Sequence, residues 1–132
     1  MDIIFVNGCF DILHRGHIEL FKYAKSLGDY LIVSIDTDRR VQELKGLNRP
    51  FNNQDDRKFI LESVRYIDAV YFFDSENELE TLISSINPDV MVVGSDWKEK
   101  KVIGSQYAKS LKFFKRVGDY STTKILQGSS VR

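Results

Sequence analysis

Five short apolar runs punctuate the chain, and they constrain its fold more than any other feature: Ile3-Ile4-Phe5-Val6, Tyr30-Leu31-Ile32-Val33-Ser34-Ile35, Ala69-Val70-Tyr71-Phe72-Phe73, Val90-Met91-Val92-Val93 and Phe113-Phe114. Each is continuous rather than alternating. A strand with one face in water alternates apolar and polar residues, whereas a strand covered on both faces does not, and that cover is the mark of a parallel sheet. Helical spacing fills the intervals. Ile18, Leu20, Phe21, Ala24 and Leu27 recur on one side, with Gly28 placed as a C-terminal cap. The stretch from Gln54 to Arg65 predicts a second helix that turns Phe59, Ile60, Val64 and Ile67 inward. Leu79, Leu82, Ile83 and Ile86 predict a third, stopped by Asn87-Pro88.

Strands alternating with helices give a single-domain, doubly wound α/β sheet of Rossmann-like type with about five parallel strands. With 132 residues there is room for one ordinary core. We assign 1–127 to the domain and 128–132 to a flexible tail. Lys and Arg together number 19 and Asp and Glu 19, so no positive field favours nucleic acid or an anionic membrane as partner. No apolar run approaches the roughly 20 residues of a membrane-spanning helix. Cys9 is the single cysteine, which excludes an intrachain disulfide and, with the lack of a signal segment, predicts the cytoplasm.

The two histidines of the chain, His14 and His17, lie three residues apart, after the first strand and at the start of the first helix. Ligands of doubly wound sheets bind beyond the carboxyl ends of the strands. A helix N-terminus placed there offers free N–H groups to a phosphate, imidazoles add directional donors, and Gly16 between them admits a bulky ligand. A pair of surface histidines, a zinc-chelating pair and a core histidine are the competing readings. Chelation would need carboxylates for the remaining ligands, and no metal site is assigned. The strand–glycine–histidine–helix context favours phosphate.

Other polar clusters fit the same chemistry. Ser121-Thr122-Thr123-Lys124 caps a predicted terminal helix and offers hydroxyls to a second phosphate. Lys45-Gly46 and Arg49-Pro50 fall in the loop after the second strand, with Arg57 and Arg65 on the next helix. Each is ordinary solvated surface taken alone, but joining two phosphorylated molecules needs several cations. Gly94-Ser95-Asp96-Trp97 follows the fourth strand, where a nucleotide's sugar or base would lie. A nucleophilic Cys9 activated by His14 is the rival mechanism, and no third orienting group is assignable to it.

Together these residues are recognisable. Gly8-Cys9-Phe10-Asp11-Ile12-Leu13-His14-Arg15-Gly16-His17 resembles the G-x-F-D-x-x-H-x-G-H signature of the cytidylyltransferase-like nucleotidyltransferases, and Ser121-Thr122-Thr123-Lys124-Ile125 resembles their second signature. The likeness runs from Ile3 to about Leu126. Leu44-Lys45-Gly46, Arg49-Pro50, Arg57 and Val102-Ile103-Gly104-Ser105 are similar to the adenylyltransferase domain that activates glycero-manno-heptose 1-phosphate. Asp29-Tyr30-Leu31, Arg57 to Asp68 and Gly94 to Trp97 are equally similar to glycerol-3-phosphate cytidylyltransferase. Two departures count against the second group. Its R-T-E-G-I-S-T-T segment is Arg116-Val117-Gly118-Asp119-Tyr120-Ser121-Thr122-Thr123 here, and the basic residues after its third strand are replaced by Asp74-Ser75-Glu76-Asn77-Glu78.

The resemblance implies attack of a phosphorylated sugar or polyol on the α-phosphorus of ATP or CTP, with release of pyrophosphate and no covalent enzyme intermediate. It implies catalytic roles for His14, His17 and Lys45. Gly8, Cys9, Phe10, Gly16, Gly94, Asp96, Arg116, Ser121, Thr122 and Thr123 would hold the nucleotide. Asp11, Lys45, Arg57 and Arg65 would hold the acceptor, with Asp11 equally suited to fixing its loop and Arg57 or Arg65 to a dimer contact. Mg²⁺ would ride on the triphosphate, and the family implies a homodimer. A sugar 1-phosphate adenylyltransferase is the preferred reading, a CTP:glycerol-3-phosphate cytidylyltransferase the runner-up, and a nucleotide-binding module without turnover the reading from a different class.

Overall fold

A computed structural model describes residues 1–95 and 100–115. Its elements, in chain order, are β1 (Ile3–Gly8), α1 (Arg15–Ser26), β2 (Tyr30–Asp36), α2 (Asp38–Lys45), α3 (Gln54–Glu62), β3 (Ala69–Phe73), α4 (Glu76–Ile86), β4 (Val90–Gly94) and β5 (Ser110–Phe114). A 3₁₀ turn, Ser105–Tyr107, precedes β5. All five strands are parallel, in the order β3-β2-β1-β4-β5.

The sheet has an apolar layer on each face. Ile4, Val6, Leu31, Val33 and Ile35 pack on Phe21 and Ala24 of α1 and Leu61 of α3. Phe5, Ile32 and Met91, offset by one residue along their strands, pack on Leu79 and Ile83 of α4 and on Val102. Continuous apolar runs thus serve two cores at once, which is why they carry no alternation.

Three predicted details differ. The helix α2 is absent from the apolar pattern because its sequence, Asp38-Arg39-Arg40-Val41-Gln42-Glu43-Leu44-Lys45, buries only Val41. It is held instead by its cap, the Thr37 side chain accepting from the Arg40 N–H. Lys45 therefore ends a helix rather than sitting in a loop, and Gly46 follows at φ 103°, a conformation open to glycine. The helix α3 stops at Glu62 and turns Arg57 and Leu61 inward; Phe59 and Ile60, expected in the core, are 72% and 40% exposed. Gly28 does follow α1, but with no left-handed φ. A Cβ there would stand 2.7 Å from Ile4 Cδ1 and 2.9 Å from the Asp2 carbonyl, so close approach is what requires glycine.

At the amino edge of the sheet, carboxylates close the backbone groups that the ladders leave open. Asp89 accepts from the Ile3 N–H at 2.7 Å, Asp68 from the Leu31 N–H at 2.8 Å and Asp29 from the Asp2 N–H at 2.8 Å. At the other edge, β1 has β2 on one side and β4 on the other, and the connections leaving β1 and β4 part there. That divergence opens a crevice at the carboxyl ends of the strands.

Candidate active site

The turn from β1 into α1 is built around an inward-folded phenylalanine. Phe10 has φ 49°, and its ring lies against Gly8, where a Cβ would meet Phe10 Cζ at 2.9 Å. The ring meets His17 edge-on, with centroids 5.3 Å apart at 88°, and Phe21 at 5.1 Å. His14 is the N-cap residue of α1, in extended conformation. Its ring stacks on His17 with centroids 3.8 Å apart and 19° between planes. The His14 N–H donates to His17 Nδ1 at 3.3 Å. An accepting Nδ1 carries no proton, so the neutral His17 ring holds its proton on Nε2 as a donor. The pair is thereby fixed over the first turn of α1, where the His17 N–H reaches the His14 carbonyl at 3.1 Å and the N–H groups of Arg15 and Gly16 precede the first regular helical bond.

Two residues considered for the acceptor make structural contacts: Asp11 takes the loop-fixing role that the sequence left open to it, and Arg57 is corrected from a substrate cation to a buried tie. Asp11 is buried and its carboxylate is occupied: Oδ2 accepts from the Phe51 N–H and Oδ1 from the Asn52 N–H, both at 2.7 Å. Asn52 returns a bond from Nδ2 to the Asp11 carbonyl, and Arg49 Nε stands 3.4 Å from Oδ2. Arg57 is fully buried. It donates to the carbonyls of Asn52 at 3.0 Å, Cys9 at 3.1 Å and Asp36 at 2.8 Å, and to the Asp38 carboxylate at 2.8 Å. A guanidinium spent on four acceptors of its own chain is not available to a substrate.

Arg65 is also corrected. It lies past the end of α3, exposed, with Nη2 donating to the Tyr66 hydroxyl at 3.1 Å. It precedes β3, and in an all-parallel sheet that places it at the amino edge, away from the crevice.

The crevice is a cleft of about 440 Å³. Its walls come from strand ends, including Gly8, Asp36 and Gly94, and from Cys9 and Lys45, so four of the predicted site residues meet here. Neither histidine is among the walls; the same turn presents Gly8 and Cys9 to the cleft. Burial pushes the Cys9 thiol up from its ordinary value, against the opposing pull of Lys45 and Arg57, so the thiol stays protonated. That is the wrong state for a nucleophile.

Asp36, Arg40 and Glu76 also line the cleft; the sequence alone did not mark Asp36 or Arg40, whereas Glu76 falls in the acidic stretch after the third strand. Burial pushes the Asp36 carboxyl up, while Arg40 draws it down. One signal pointed to Asp36: it is the polar residue that ends the second apolar run, where ligands of such sheets bind. Of the acids in the stretch 74–80, Glu76 is the one that lines the cleft; Asp74 is spent on Arg39 and Thr37, Glu78 on the Asp74 N–H, and Glu80 on Gln106. Asp96, Arg116, Ser121, Thr122 and Thr123 lie outside the described residues, as does the tail 128–132. Among the described residues, no three His, Cys, Asp or Glu side chains gather as a metal site would require.

Comparison with known proteins identifies the family and the fold. Residues 5–128 match the family model described as cytidylyltransferase-like. The chain is 45% identical over 124 residues to the bifunctional protein HldE of Campylobacter fetus, covering 94% of this chain and 27% of that protein. It is 46% identical over 125 residues to that of Aliarcobacter butzleri, covering 95% and 26%. The chain thus spans about a quarter of the length of these curated relatives. Among solved structures, a lipopolysaccharide core biosynthesis protein from Thermoplasma volcanium superposes with a TM-score of 0.70 at 23% identity, covering 92% of this chain and 99% of that one. A pantothenate synthetase from Thermus thermophilus superposes with a TM-score of 0.66 at 13% identity, covering 95% and 61%. These likenesses speak for the fold, and the family match speaks for the chemistry: the chain belongs to the cytidylyltransferase-like family and is a nucleotidyltransferase.

Proposed function

We propose that this domain transfers the adenylyl group of ATP to a sugar 1-phosphate and releases pyrophosphate. The observation that carries the reading is the stacked His14–His17 pair over the N-terminus of α1, one turn of chain away from a cleft that Lys45 and Asp36 line. The acceptor is already a phosphate oxyanion, so the attack on the α-phosphorus needs no strong general base. Catalysis then rests on positioning and on neutralising charge as it develops. In this reading His17 donates from Nε2, and His14 with it, to the α-phosphate and the leaving pyrophosphate. Gly8, Cys9 and Phe10 line the triphosphate through their backbone. Lys45 neutralises phosphate between the two substrates. Arg116 and Ser121 to Thr123 hold the outer phosphates, Gly16 admits the ligand, and Gly94 and Asp96 face the nucleoside. Mg²⁺ enters with the triphosphate as part of that substrate. We also place the protein in the cytoplasm, where its nucleotide substrate is made.

The test is a matrix of four nucleoside triphosphates against sugar and polyol phosphates, read as pyrophosphate release. An aldose 1-phosphate with ATP is expected to exceed glycerol 3-phosphate by at least about tenfold in kcat/KM, about 1.4 kcal/mol of differential transition-state binding. Equal or better use of glycerol 3-phosphate, with CTP preferred, moves the domain to the polyol-phosphate reading.

A further inference from the structure

Arg39 and Arg40 are neighbours on α2 and face opposite environments. Arg39 is exposed, yet its ion pairs are closed: Nε stands 2.9 Å from Asp74 Oδ2 and Nη1 2.7 Å from Glu43 Oε2. Arg40 and Asp36 are both 13% exposed at the side chain, yet their pair is open, with Nε and Oδ2 3.5 Å apart. Arg40 Nε is buried without a hydrogen-bond partner. This inverts what structural roles require. An exposed pair gains little from closing, whereas a buried pair held slightly open keeps its attraction but leaves the Nε–H without the hydrogen bond that would offset its desolvation.

The backbone does not let Asp36 relax. Its carbonyl is held by the buried Arg57 at 2.8 Å. The next residue, Thr37, is tied through its N–H to the Phe73 carbonyl at 3.0 Å and through its hydroxyl to Asp74. Asp36 and Arg40 both line the cleft, beside Lys45 and Glu76. An acceptor-only carboxylate and a donor-only guanidinium, set slightly too far apart and open to one cavity, match a hydroxyl group. Its O–H donates to the carboxylate and its oxygen accepts from Nε. A phosphate matches poorly, because Asp36 would repel it.

We propose that the Asp36–Arg40 pair reads a hydroxyl of the acceptor, making the acceptor a polyhydroxylated phosphate whose ring or chain lies in the β1/β4 cleft. This rests on the nucleotidyl-transfer reading above and adds the residues that choose the acceptor. Lys45 takes the acceptor's phosphate and Asp36 with Arg40 its hydroxyl. Val41, Phe73 and Leu79 supply the apolar wall against which the carbon skeleton packs.

The experiment measures pyrophosphate release from ATP by the full chain with mannose 1-phosphate and with its monodeoxy analogues, for wild type, Asp36→Ala and Asp36→Asn. In wild type, removal of one particular hydroxyl is expected to lower kcat/KM roughly tenfold to a hundredfold, the scale of a hydrogen bond to a charged group. Asp36→Ala is expected to raise the KM for mannose 1-phosphate by a similar factor, leave the KM for ATP unchanged, and erase the penalty for that one analogue alone. Asp36→Asn retains an accepting oxygen in the same place and is expected to recover part of the discrimination, which separates recognition from a folding defect. If Asp36→Ala ranks the analogues as wild type does, the inference is overturned while the nucleotidyl-transfer reading stands. If wild type releases no acceptor-dependent pyrophosphate with any sugar phosphate, the acceptor reading and this inference fall together.

Discussion

The Arg57 guanidinium donates to the carbonyl of Cys9, 48 residues away, at 3.1 Å. The same nitrogen reaches the Asp36 carbonyl at 2.8 Å, so one buried cation ties the end of β1 to the end of β2. Through Asn52 and Asp38 it also fixes the segment before α3 and the first turn of α2. The two strand ends that meet at the cleft are thus set in register by a residue that faces neither substrate.

Replacing Arg57 is therefore expected to act on stability first. Arg57→Met leaves buried carbonyls without donors and Asp38 without its partner, a loss of about 3 kcal/mol or more. Arg57→Lys is expected to rescue little, because an ammonium cannot span acceptors that a planar fork reaches together. Urea denaturation checks this. A lysine variant as stable as wild type would show that the fork geometry is not what matters.

His17 has two duties that substitutions can separate. Nδ1 caps the His14 N–H, and Nε2 carries the ring's proton. His17→Ala is expected to cut turnover by roughly 10²-fold, the scale of a lost transition-state donor, and to cost about 1 kcal/mol of stability through the lost cap. In His17→Asn the amide oxygen stands where Nδ1 stood, so stability is expected to return without the turnover. His14→Ala is expected to lose about the same factor in turnover. Activity that recovers together with stability in His17→Asn would assign the ring to the cap alone.

Much of the fold was legible because the physics that selects it acts locally. Runs such as Tyr30 to Ile35 must be covered on both faces, and only a parallel sheet between helices does that. The β1–α1 turn was legible because Gly8, His14, Gly16 and His17 are constrained at fixed spacing. What escaped the sequence depends on partners distant in the chain. Arg57 and Lys45 read alike as cations, yet one is sealed among carbonyls from three segments and the other stands at a cleft. Phe59 and Ile60 fit an apolar stripe as well as Leu61 does, but α3 meets the sheet along the side that carries Arg57 and Leu61. Asp36 and Arg40 became visible as site residues only once β1 and β4 were seen to part beside them.

Those outward residues of α3, with Tyr71 on the edge strand β3, leave apolar surface that suits self-association. We expect a homodimer. Light scattering at micromolar concentration reads it directly, and a monomer mass there would count against it.

Cys9 offers a clean test of direct displacement. Its thiol is held protonated by burial and its carbonyl, not its sulfur, makes the structural bond. Cys9→Ser is expected to keep most of the activity, and mass spectrometry of the enzyme with ATP alone is expected to show no adduct. A covalent nucleotide on the wild-type chain would overturn the mechanism.

The amino edge of the sheet sets the response to acid. The bond from the Ile3 N–H, and next the Lys109 ammonium 3.0 Å away, hold the Asp89 carboxyl below its ordinary value of 3.8. Asp89 also joins β1, β4 and β5 through its backbone, its N–H donating to the Ile3 carbonyl and its carbonyl accepting from Ser110. A carboxylate whose folded pKa lies below its unfolded pKa stabilises the native state in full above the unfolded value, and that stabilisation is lost as pH falls through the folded one. Asp74, lowered by Arg39 and Thr37, adds in the same sense. Asp36 acts in the opposite sense, since its raised pKa means that the native state takes up a proton there before the unfolded chain does. The expected result is a wild-type Tm that falls as pH drops from about 5 to about 2, and a shallower fall in Asp89→Asn, which keeps an acceptor for Ile3 but does not titrate. The two curves should converge at the acid end and separate above the ordinary carboxylate range. Parallel curves across that whole interval would show that the Asp89 charge does not support the sheet edge.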